Sequence, residues 1–283
     1  MGIKGTAGPM TCVGHAIRAR RAALSLLACL AAVAGPAACL ITVAAAATGL
    51  TACASSRTQQ ARPQPIATIG DMRSSSGAVL APRDLYPIDG KTEWIVTDDD
   101  WMRIEDGVRM GTVVRTGDAI EWREPLGTTT ESVIDQSAVR LRRTVVPGDK
   151  SISVFEPPLL LVSPDGPKPS GAAFETESPM RVEWIGGGER DRGTGHRSSR
   201  VLGMARVRTP AGEADTLVVE NTFEAHLKMA RARRVTTLWI VPGDGPVAER
   251  WSQTIFVFGI PTGTSRGAFV RSAPRLAAPR STP

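Results

Sequence analysis

Cysteine is missing from most of the chain: Cys12, Cys29, Cys39 and Cys53 are its four thiols, and none follows Cys53. Everything after that point is therefore without a disulfide framework or a zinc site built on thiolates. Acidic residues are missing from the opening stretch, where Lys4, Arg18, Arg20 and Arg21 are the only charges before Cys53. Four of the 34 basic residues sit there, which leaves 30 basic against 28 acidic groups in the remainder. The net charge of +6 thus falls to +2 beyond the leader. So small an excess gives no support to a nucleic-acid partner. Long amphipathic helices are also scarce: after the leader, Glu224 to Arg234 is the single short candidate.

What the opening stretch does contain is a cationic end of 21 residues and then an uncharged run from Ala22 to Leu50, rich in Ala, Leu and Val. This is the arrangement of a signal segment, with the positive end held on the cytoplasmic side and the following chain sent across the membrane. The run is long enough, at roughly 20 residues per span, to serve instead as an uncleaved anchor, although Gly35-Pro36 interrupts it. A true start at Met10 would shorten the leader. Arg20-Arg21 is read as ordinary basic charge, because its surroundings do not match a twin-arginine signal.

The run ends in Leu50-Thr51-Ala52-Cys53, which resembles a bacterial lipobox. That resemblance implies a diacylglycerol on the Cys53 thiol and cleavage before it. Several acyl chains on one residue hold a soluble domain at a bilayer, whereas one chain binds only reversibly. The expected organisation is a signal peptide over 1–52, a lipidated cysteine and flexible linker over 53–83, a β-rich domain over 84–271 and a disordered tail over 272–283. Linker and tail have too few large apolar groups to offset their ordering entropy. A retained transmembrane anchor, or a cysteine without lipid, are the alternatives. Both leading readings place the domain outside the cytoplasm, on the inner or outer membrane.

The middle portion is written in strands. Leu217, Val219 and Phe223 alternate with Thr216, Glu220 and Thr222; Ile120 and Trp122, Val139 and Leu141, and Val182 and Trp184 alternate with charged neighbours in the same way. Period two with one apolar face describes half-buried strands. Denser runs at Val235–Val241 and Ile255–Ile260 predict central strands. Thr116-Gly117-Asp118, Pro210 to Glu213 and Pro242 to Gly245 supply turns for antiparallel pairing. The fold class is mainly β: ten to twelve antiparallel strands in one strongly curved sheet or a sandwich. Gly186 to Ser199 predicts a mobile hairpin loop and is no phosphate cradle, since it lacks the Lys-Ser/Thr ending and a following helix.

Several segments resemble a family of bacterial envelope lipoproteins of unknown function. They are Tyr86-Pro87-Ile88-Asp89-Gly90 with Trp94, then Phe155 to Leu160, and then a C-terminal third carrying Gly203, Val207 to Gly212, Thr216 to Glu220, Leu238-Trp239 and Pro242 to Val247. Ala214 and Ile240 stand where that family has aromatic residues. The resemblance implies a curved antiparallel sheet, similar to the half-barrels of lipoprotein-localisation factors, with a concave face for apolar groups. It brings no catalytic residues.

Candidate chemistry is sparse. Gly263-Thr264-Ser265-Arg266-Gly267 matches a nucleophile elbow in letters, but no Asp, Glu or His follows it, so it reads as a chance match in a turn. His196 and His226, the two histidines beyond the leader, read as solvated surface groups without a metal. Asp98-Asp99-Asp100 reads as a charged turn, since it lacks the Gly and distal Glu of a calcium hand. Lys228, Arg231, Arg233 and Arg234 could face anionic head groups, but read first as a solvated connection. The six tryptophans fit a core, or an aromatic-lined groove. No cofactor is expected. The function read from the sequence is a membrane-anchored envelope lipoprotein whose non-catalytic β domain binds a lipid or envelope protein or supports the envelope. A carrier of lipid or lipoprotein on a concave sheet face, and a secreted hydrolase on a β scaffold, are the alternatives.

Overall fold

The computed structural model describes residues 64–74, 90–134, 138–162 and 173–274. The signal segment and the lipobox residues Leu50, Thr51, Ala52 and Cys53 lie outside them. Among the described residues nearly everything is strand: β1 (Thr68–Ile69), β2 (Gly90–Thr97), β3 (Ile104–Thr116), β4 (Ala119–Arg123), β5 (Thr129–Ile134), β6 (Val139–Val146) and β7 (Ser151–Val162). Then follow β8 (Phe174–Trp184), β9 (Glu189–Thr209), β10 (Gly212–Leu227), β11 (Ala230–Val241), β12 (Gly245–Val257) and β13 (Ile260–Arg271). No helix among these residues is long and apolar enough to cross a membrane.

From β2 to β13 each strand pairs antiparallel with the next, and β13 returns to β2, with Ala268 opposite Thr97 and Arg271 opposite Trp94. Twelve strands therefore close into an up-and-down barrel, which leaves no long edge to recruit another chain. The expected curved antiparallel sheet is present and goes further, to full closure. The longest strand, β9, pairs with β8 along Glu189–Ser199 and outruns it. Past that point β1 takes the vacant side, with Thr68 opposite Arg208 and a further bridge between Arg73 and Met204. Residues 64–74, inside the stretch read as linker, are thus part of the wall.

Alternation decides which side chains enter the barrel. Leu217, Val219 and Phe223 of β10 face inward as their spacing predicts, beside Leu238 and Ile240 of β11, and Trp94, Trp251 and Phe269 fill the wall nearby. The outer face carries ion pairs: Arg200 with Glu220 at 2.7 Å and Arg181 with Glu183 at 2.6 Å. A transmembrane barrel has the reverse pattern, apolar outward and polar inward.

One outer patch is covered. Ile66, Ala67 and Ile69 lie over Ala205, Val207 and Val218, and Trp101 from the β2–β3 turn closes the patch against Trp239, ring centroids 5.1 Å apart and near perpendicular. The Ile66 amide donates to the Trp101 carbonyl at 2.7 Å, joining the two covers. Strand β10 is consequently buried on both faces here, and Thr216, expected on a polar face, is fully buried with its hydroxyl donating to the Ala205 carbonyl at 2.8 Å. The Asp98 carboxylate accepts from the amides of Met102 and Arg103 and fixes this turn, as the charged-turn reading expects.

Four local expectations are overturned. Gly186 to Ser199 is a short turn followed by strand, because Gly195 is a packing residue: a Cβ there would lie 2.8 Å from the Phe155 ring and 3.2 Å from that of Phe223. Glu224 to Arg234 is two strands and a turn, since alternate residues must face inside and outside the barrel. Ile255–Ile260 is broken by a two-residue hairpin in which Phe258 (φ 49°) and Gly259 (φ 79°) are both left-handed, the geometry that matches strand twist; Phe258 is 74 % exposed. Gly263 to Gly267 lies in β13 rather than a turn, and the Gly267 position leaves room for the Trp251 ring.

Candidate ligand cavity

The barrel interior is not filled. Between the layer of Leu217, Val219 and Ile240 and the other end lies a cavity of about 220 Å³. Its wall is mostly apolar, with Leu141, Phe155, Leu159, Phe223, Trp251 and Phe269 contributed by five different strands. Phe155 and Phe223 meet edge to face at 6.1 Å across β9, a contact that the small Gly195 between them permits. Small hydroxyl residues, Thr128, Thr130, Ser151 and Ser153 among them, interrupt the apolar surface.

Three charged side chains line this space: Glu124 from the β4–β5 turn, Arg197 from β9 and Arg234 from β11. Arg197 is held in place, its Nη2 donating to Asn221 Oδ1 at 2.7 Å and its Nη1 to the Leu161 carbonyl. Ser199 donates to the same Asn221 oxygen at 2.6 Å. Arg234 is also occupied. Its Nη2 lies 3.3 Å from Glu249 Oε1, its Nε 3.4 Å from Thr236 Oγ1, and its guanidinium 5.0 Å from the Trp251 ring centroid. Glu249, on β12 behind Arg234, keeps 17 % of its side chain accessible although the wall surrounds it.

Two carboxylates thus share the field of Arg234. Burial pushes Glu249 up to about 7; Arg234 opposes that rise, and the charge of Glu124 adds to it. Glu124 is raised as well, by burial, again against the attraction of Arg234. Like charges held in a poorly solvated space resist simultaneous ionisation, and the pair titrates as a unit.

The two histidines lie on the other side of the wall. His226 Nε2 is 3.1 Å from Glu224 Oε2, and His196 Nε2 is 4.0 Å from Glu175. Glu224 also binds Arg231 and Arg233. Burial raises that carboxylate, but the hydrogen bonds from Arg231 and His226 outweigh it and hold Glu224 below the usual range. Among the described residues no three His, Cys, Asp or Glu side chains are placed to hold a metal, and no histidine lines the cavity. The basic cluster divides by strand parity: Arg231 and Arg233 turn outward to Glu224, whereas Arg234 enters the lumen.

Sequence reasoning missed Glu124, Arg197, Asn221 and Glu249 as interior groups. The available signal was a polar residue in phase with large apolar ones, as in Glu249-x-Trp251-x-Gln253, where the tryptophan marks the inward face.

No protein-family model matches the chain. No curated protein matches it either. Among solved structures it is similar to a Bacteroides fragilis protein described as a "putative exported protein with YmcC-like fold". The two share 9 % identity with a TM-score of 0.33, over 69 % of this chain and 98 % of that one.

Proposed function

We propose that this chain is an exported, non-catalytic binding protein, lipid-anchored to the cell envelope at Cys53, whose barrel holds a small apolar or amphipathic molecule. The observation that carries the reading is the apolar cavity inside a closed barrel whose outer face is charged. Packed cores leave few voids larger than a water molecule, so about 220 Å³ of unfilled apolar interior is a built feature. An apolar cavity of about 150 Å³ accepts benzene; this one suits a substituted ring or a chain of similar bulk. Placement of both histidines on the outer face, away from the cavity hydroxyls, supports binding over hydrolysis.

The envelope address rests on the basic leader, the apolar run and Leu50-Thr51-Ala52-Cys53. Mass spectrometry of membrane-extracted protein should find a chain that begins at an acylated Cys53, and Cys53→Ser should release the domain from the membrane fraction. For the cavity, calorimetric titration with benzyl alcohol should show one site with an affinity of about 5 kcal/mol, a Kd on the order of 0.2 mM. Ala225→Phe, which fills the lumen, should abolish it. Equal binding by the filled variant would refute the cavity as the site.

A further inference from the structure

The charges around the cavity are unequally satisfied. Arg197 has Asn221 and the Leu161 carbonyl, and Arg234 has Glu249, Thr236 and the Trp251 face. Glu124 differs. Its backbone is fixed, with its amide donating to the Thr128 carbonyl at 2.7 Å and its carbonyl accepting from the Gly127 amide at 2.9 Å. Its carboxylate lines the cavity and accepts no hydrogen bond or close ion pair from any described residue; the fields of Arg234 and Glu249 reach it. An apolar space bounded by two engaged cations and one unengaged anion favours a ligand that brings its own positive charge.

Taking the lumen as the binding site, as proposed above, we infer that the cavity selects an apolar molecule carrying a single ammonium group, which pairs with Glu124 while the hydrocarbon part lies against Phe155, Phe223 and Trp251. A carboxylate ligand would meet Glu124 directly and would have to displace Asn221 and the Leu161 carbonyl from Arg197, or Glu249 from Arg234. A neutral ligand would cover the half-buried Glu124 and leave it to keep a proton, the alternative way of avoiding a buried unpaired charge. The ammonium replaces that proton, so binding releases it. Glu124, Glu249, Arg197 and Arg234 are the charged groups that face the lumen site, and the first two retain protons beyond the ordinary carboxylate range through burial. Affinity for the cation therefore rises from acid to neutral pH.

The test is calorimetric titration of the purified processed protein with three probes of equal bulk: benzylamine, benzyl alcohol and benzoate. At pH 8 benzylamine should bind at least tenfold more tightly than the other two, and toward pH 5 its lead should shrink while its binding releases protons, measured by repeating the titration in buffers of different ionisation enthalpy. Glu124→Gln should lose that preference yet still bind benzyl alcohol, which shows that its lumen is intact; Glu124→Asp should keep part of the preference. If benzyl alcohol or benzoate binds as tightly as benzylamine, the ammonium assignment is overturned while the cavity reading stands. If none of the three binds, both fall.

Discussion

Glu249 offers the sharpest test of how the lumen charges are arranged. A carboxyl group free in the unfolded chain titrates near 4.5, and inside the barrel near 7. Below the lower value both states are protonated and the group contributes nothing to the balance. Between the two the folded state holds a proton that the unfolded state has released, so stability falls as pH rises. Above about 7 both states are ionised and the full penalty remains. The shift from 4.5 to about 7 corresponds to about 3 kcal/mol, at about 1.4 kcal/mol per unit. Glu249→Gln keeps an acceptor for Arg234 and removes the titration. Chemical denaturation between pH 5 and pH 8, followed by tryptophan fluorescence, should show the wild-type protein losing about 3 kcal/mol more than the variant across that range. For a domain of this size that equals a difference of about 6–12 °C in Tm. Parallel pH profiles for the two proteins, or a wild type that gains stability toward pH 8 relative to the variant, would refute the reasoning.

Three further outcomes follow from the packing. Trp101→Ala opens the outer patch between residues 64–70 and β11 and should cost about 3–5 kcal/mol in a denaturation midpoint, while leaving benzyl alcohol binding in the lumen intact. Arg271 is 3 % exposed and bonds to the Asp244 carboxylate and to the carbonyls of Asp244 and Pro246, whereas Asp244 is 43 % exposed. Asp244→Ala strands a buried cation at a cost of about 3–5 kcal/mol, so it should destabilise more than Arg271→Met; the opposite order in thermal unfolding would contradict that account. Gly195→Ala puts a methyl group against the Phe155 and Phe223 rings and should cost about 1–3 kcal/mol, with weaker ligand binding in titration.

The sequence carried the strands well and their assembly poorly. Period-two alternation at Leu217, Val219 and Phe223 was enough to assign β10 and its inward face, because a half-buried strand needs that pattern. Closure was not legible, since pairing of β13 with β2 joins the ends of the domain and leaves no local mark. Ile255–Ile260 looked continuous because an apolar residue in a left-handed turn has no compositional sign beyond the neighbouring glycine. Gly193 and Gly195 suggested a loop, although Gly193 makes room for the His226–Leu227 backbone of β10 and Gly195 for the Phe155 and Phe223 rings. The candidate site was hidden for a related reason: Glu124 and Glu249 are ordinary surface residues until closure brings the β4–β5 turn within reach of β11 and β12. Arg234 was visible only as one of four cations, and strand parity, not composition, sends it inward.

The central claim is that the closed barrel keeps an apolar space that a ligand can occupy. Crystals of the domain pressurised with xenon test it directly, because xenon enters apolar cavities without needing any hydrogen bond. Xenon density is expected inside the lumen, bounded by Leu141, Phe155, Phe223 and Trp251. A lumen closed by side chains, with xenon absent or confined to the outer surface, would contradict it.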